Sequence, residues 1–68
     1  MKQYGTIAQW RLDKGFGFIM PDDRHDEIFV HLSNMVTDFE PAVGQRVTFV
    51  VEKSLRDGKL RAIRVEPA

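Results

Sequence analysis

At 68 residues the chain has room for one small domain and no second, so residues 1–68 are read as a single unit. It has no cysteine, so no disulfide staples it, and its ten Lys plus Arg balance ten Asp plus Glu. Zero net charge argues against a non-specific electrostatic grip on duplex DNA. No apolar run reaches membrane-spanning length and the start lacks a signal-peptide pattern, so a cytoplasmic protein is expected.

A domain this small is marginal in stability unless it closes on itself. The sequence reads as a series of short strands. Tyr4 to Leu12 forms the first, with Ile7 inward; strict alternation puts Trp10 on the outward face unless a bulge intervenes. Asp13-Lys14-Gly15 supplies a turn. Residues 15–20 form the second strand, with Phe16 and Phe18 on one face and Gly17 and Ile19 on the other. Glycine inside a strand often marks close backbone approach or curvature. Pro21 ends the strand, because proline cannot donate to the ladder. Asp22 to Asp26 follows as a polar turn whose acids and His25 read as a solvated loop rather than a metal cluster.

Glu27 to His31 is the third strand, with Ile28 and Val30 inward and Phe29 and His31 outward. Leu32-Ser33-Asn34-Met35 suits a single helical turn capped by Ser33. Residues 36–44 form a loop that carries Phe39. A fourth strand runs from Gln45 to about Leu55, with Val47, Phe49 and Val51 inward. Asp57-Gly58 signals a two-residue hairpin into a fifth strand, Lys59 to Glu66. There Leu60 and Ala62 fall out of phase with Ile63 and Val65, which calls for a bulge. No apolar pattern of period 3.6 runs long enough for an extended helix.

Five such strands predict an all-β barrel, since closure removes exposed edges. Taken alone, Phe16 and Phe18 read more readily as core, because phenylalanine is mostly buried. Together, however, the strands present Trp10, Phe16, Phe18, Phe29 and His31 on one face, which is costly to leave bare without a ligand. Flat rings beside cations suit a chain that carries both bases and phosphates.

Lys14-Gly15-Phe16-Gly17-Phe18-Ile19 and Ile28-Phe29-Val30-His31-Leu32-Ser33 resemble the two ribonucleoprotein motifs of the cold-shock domain family. Gly5, Gly44-Gln45, Ala62 and Val65 also fit, so the resemblance spans nearly the whole chain. It implies a five-stranded antiparallel OB-fold barrel that binds single-stranded RNA or DNA, with a preference for pyrimidine-rich strands and an RNA-chaperone-like role, for example in cold stress. The first motif also overlaps the RRM signature, but Pro21 fills its last aromatic slot and the helices of that fold are missing from the pattern.

On this reading bases stack on Trp10, Phe16, Phe18, Phe29 and His31, and Phe39 extends the platform. Lys14, Arg11 and Arg56 screen phosphates at the rim, although Arg11 and Arg56 read equally well as surface charges that serve solubility alone. Three departures from the family pattern matter. Counted from Gly5, Gln9 takes the usual tryptophan slot and Trp10 the phenylalanine slot that follows; Leu32 replaces a stacking phenylalanine; Ala8 replaces a lysine. A stacked base is worth about 1–3 kcal/mol, so a weaker binder than a typical relative is expected. The alternative is a protein-interaction or dimerisation module that uses the same aromatic face; a monomer is the expectation. No cofactor is implied and no enzyme is expected, because His31 has no nucleophile beside it in sequence.

Overall fold

The computed structural model describes residues 2–23, 26–36 and 40–68. The chain forms strands β1 (Gln3–Arg11), β2 (Phe16–Pro21), β3 (Ile28–His31), β4 (Arg46–Lys53) and β5 (Leu60–Pro67), with one 3-10 turn, Leu32–Asn34, after β3. Most strand ends fall within one or two residues of their expected positions, and Pro21 lies inside β2 rather than beyond it. The strands close in the order β1-β2-β3-β5-β4, so none keeps an unpaired edge.

Period-two alternation sets the core. Ile7, Ile19, Ile28, Val30, Val47, Phe49, Ala62 and Val65 all point inward and are buried. Val51 packs against them from its half-buried position. All pairings are antiparallel except one: β3 and β5 run parallel, with Phe29 beside Arg61 and Val30 beside Ala62. This qualifies the expected antiparallel barrel, and the reason is parity. A ring of five strands cannot alternate direction all the way round, so one like-directed pair must occur.

Two bulges re-aim side chains. In β1, Ile7 pairs with Ile19 but Gln9 pairs with Phe18, so Ala8 is the extra residue. Beyond it the faces exchange. Gln9 and Arg11 share the outer face with Phe18 and Phe16, and Trp10 lies opposite Gly17 on the inner side. In β5, Thr48 pairs with Glu66 but Val50 with Ile63, so one extra residue stands between Ala62 and Val65, as their phase predicts. Arg64 there takes a left-handed φ of 54°.

Glycine is required where β1 crosses β2. A Cβ built on Gly17 would lie 2.2 Å from the Gln9 carbonyl oxygen and 2.6 Å from Trp10 Cε3. The expected two-residue hairpin at Asp57-Gly58 is replaced by a longer loop over residues 54–59. It is closed by Ser54 N–H to the Lys59 carbonyl and Gly58 N–H to the Ser54 carbonyl, each at 2.8 Å. A type I′ turn needs positive φ at both central residues, and only Gly58 has it, at 73°.

Outside the core, Arg46 forks onto both oxygens of Asp22 at 2.7 Å and also donates to Thr6 Oγ1 at 3.2 Å. The side-chain hydrogen bond from Arg46 holds the Asp22 carboxyl below its usual value near 3.8. A depressed folded-state pKa contributes stability above the unfolded value and loses it as pH falls through the folded one. Asp22→Asn should therefore flatten part of the stability decline below about pH 4, read by urea unfolding across pH. Phe49→Ala should cost about 3–5 kcal/mol in the same assay at neutral pH. Gly17→Ala should cost about 1–3 kcal/mol by overpacking, although it adds only one methyl group.

Candidate functional site

The outer face of β1, β2 and β3 carries the rings. Cross-strand register sets two rows across the sheet. One joins Arg11, Phe16 and His31; the other joins Gln9, Phe18, Phe29, Arg61 and Glu52. Phe16, Phe18 and Phe29 touch one another, with centroids 6.4 Å (Phe16–Phe18), 5.6 Å (Phe16–Phe29) and 6.0 Å (Phe18–Phe29) apart. All three are half-buried, because Gly17, Ile19, Ile28 and Val30 take the inner positions behind them. Phe16 meets Phe18 edge-on at 89°, whereas Phe16 and Phe29 tilt by only 36°. The latter two therefore come nearest to offering a common stacking surface.

His31 is exposed at the end of the first row. It, rather than the expected Ser33, caps the 3-10 turn: Ser33 N–H donates to His31 Nδ1 at 3.1 Å, and Ser33 Oγ lies 2.9 Å from the same nitrogen. A ring nitrogen that accepts from a backbone N–H carries a lone pair, so in the neutral ring the proton sits on Nε2. The imidazole thus offers a fixed donor away from the turn.

Trp10 departs from its expected place on the platform. The Ala8 bulge turns it inward, where it packs against the core and covers Gly17, and its Nε1 is buried with no hydrogen-bond partner among the described residues. Gln9 takes the outward position opposite Phe18 and donates from Nε2 to Glu27 Oε1 at 3.3 Å. Lys14 is exposed in the turn before β2, and Leu32 is 50% exposed beyond His31. Phe39 lies outside the described residues.

Arg56 sits in the loop between β4 and β5, beside the second row. That loop and the ends of its strands form the far wall of a groove of about 1020 Å³ whose other wall is Phe18 and Phe29. Lys53, Lys59 and Arg61 share that wall with Arg56, against the acids Glu52 and Asp57. The backbone N–H of Lys59 holds the Asp57 carboxyl below its usual range. Arg56, Lys59 and Arg61 lie close together in the sequence, but only the parallel pairing of β3 with β5 brings Arg61 next to Phe29.

Residues 3–68 match the family model of the "cold-shock" DNA-binding domain. The chain is 36% identical over 64 residues to "Probable cold shock protein y4cH" of Sinorhizobium fredii, covering 91% of this chain and 93% of the relative. It is 40% identical over 60 residues to "Cold shock-like protein CspB" of Escherichia coli, covering 81% and 80% respectively. Among solved structures, "drosophila Unr CSD456" superposes with a TM-score of 0.85 at 29% identity, over all of this chain and 27% of that one.

For the neutral ring at alkaline pH, nitrogen-15 shifts of His31 should report the Nε2–H form, with Nδ1 in the range of an acceptor nitrogen. An Nδ1–H tautomer would contradict the capping geometry.

Proposed function

The chain belongs to the family of the cold-shock DNA-binding domain, a nucleic-acid-binding domain, and on that premise we propose that it binds single-stranded RNA or DNA by stacking bases on Phe16, Phe18 and Phe29. The observation that carries this reading is the cluster of three rings in mutual contact on the outer wall of a closed barrel whose core is already filled by other residues. Half-exposed rings side by side cost free energy in water and regain it under unpaired bases. Duplexes are poor ligands for such a wall, since their bases are already stacked.

In this reading the His31 donor at the end of the platform meets a base or phosphate oxygen, and exposed Arg11 and Lys14, with Arg56 in the groove wall, screen phosphates. Pyrimidine-rich strands, whose small bases unstack readily, are the proposed preference. Holding RNA unpaired is the proposed role, in the cytoplasm and without catalysis. No helix among the described residues is long and apolar enough to cross a membrane. Gln9 and Leu32 supply no ring at positions on or beside the platform, so each forgoes a stacking contact worth about 1–3 kcal/mol.

Fluorescence anisotropy with labelled oligo-dT and with a matched duplex tests the proposal. Saturable binding of the single strand in the micromolar range is expected, with little response to the duplex. Phe18→Ala and Phe29→Ala should each weaken binding by about tenfold or more while leaving a cooperative unfolding transition. Trp10→Phe should change affinity much less than either. Equal binding of duplex and single strand would overturn the proposal, as would loss of affinity at Trp10 but not at the phenylalanines.

A further inference from the structure

The second row of the outer face does not end at its rings. Arg61 is the cross-strand neighbour of Phe29, and Glu52 is the neighbour of Arg61. These two charged residues line the aromatic groove and also a smaller groove of about 370 Å³ on the other side, next to Met35, Ile63 and Arg64. The Glu52–Arg61 pair is therefore the ridge between the two.

Its geometry is incomplete. Arg61 donates from Nε at 3.0 Å and from Nη2 at 2.5 Å, both to the single oxygen Oε2 of Glu52. Arg46 and Asp22, by contrast, match two nitrogens to two oxygens. A planar guanidinium is best satisfied by two acceptor oxygens side by side, which a phosphodiester supplies through its two non-bridging oxygens. Both side chains are about half exposed, at 46% for Arg61 and 44% for Glu52, so water screens the pair and little holds it shut.

We propose that Arg61 is a phosphate-binding residue that Glu52 holds in reserve. A strand stacked on Phe29 brings its next phosphate over the ridge, and Arg61 exchanges Glu52 for it. The carboxylate thereby sets the affinity of the whole face: it occupies the arginine beside Phe29 and repels the backbone. This inference rests on the single-strand reading above and adds a residue and a direction for the strand, from Phe29 across Arg61 toward Arg64.

The test is the salt dependence of oligo-dT binding, measured by anisotropy on folded protein. Glu52→Gln should bind about two- to fivefold tighter, the factor that corresponds to releasing one exposed ion pair. Its plot of log affinity against log salt should steepen by about 0.7, because no displaced carboxylate then takes up a cation to offset the one released by the phosphate. Placed on an Arg61→Gln background, the same substitution should leave the slope unchanged. Asp22→Asn removes one negative charge from the other exposed pair, outside both grooves, and should alter neither quantity. The proposal is overturned if Glu52→Gln leaves affinity and slope unchanged, if its steepening persists without Arg61, or if Asp22→Asn matches it. If the wild-type protein binds no single strand at all, the underlying reading fails together with this one.

Discussion

The close crossing of β1 over β2 governs the rest of the structure. Gly17 has no side chain, so the Gln9 carbonyl and the Trp10 ring come within distances that no Cβ would allow. That contact goes together with the extra residue at Ala8, and the extra residue decides which faces the following three side chains take. Trp10 is turned in over Gly17 and packs against the core. The outer wall is left to Phe16, Phe18 and Phe29. A single missing methyl group thus separates the aromatic residue that serves the core from those that serve the surface.

Much of this was readable from the sequence, and the limits have physical causes. Period-two alternation placed Ile7, Ile19, Ile28, Val30, Val47 and Phe49 in the core, and it placed Phe16, Phe18, Phe29 and His31 opposite them. The bulge in β5 was visible because Ala62 and Val65 are both apolar yet out of phase. The bulge in β1 left no such mark: Ala8 and Gln9 are neutral in pattern, and alternation carried Trp10 to the wrong face. Only the count from Gly5 against the family motif pointed to Gln9 as the outward residue. Ser33 looked like the cap because small hydroxyl residues usually fill that role; here the preceding histidine does so through its ring nitrogen. Arg61 was out of reach of any local rule, since its neighbour Phe29 lies on a strand that follows it neither in sequence nor through a hairpin.

Charge is distributed so that attraction is local rather than global. The net charge is zero, yet the groove beside Phe18 and Phe29 carries four cations against two acids on its far wall. Both groove acids are engaged, Glu52 by Arg61 and Asp57 by the Lys59 backbone, and outside the groove Arg46 forks onto Asp22. A protein arranged this way draws little from long-range steering and depends on contact once the strand has arrived. That suits a ligand recognised by its unstacked bases more than by its charge.

The parallel pairing that parity forces on the barrel has a mechanical side. It joins β3 to β5 at only two partnered positions, Phe29 with Arg61 and Val30 with Ala62, across more than thirty residues of intervening chain. Contacts so distant in sequence are slow to form, and a short seam is a natural place for a closed sheet to come unzipped. A nucleotide strand bound as proposed, resting on Phe29 and gripping Arg61, would lie directly over this seam, like a splint across a joint. Loading the surface would then also fasten the cylinder, and slowed exchange of the amide protons along the β3–β5 seam would mark an occupied face.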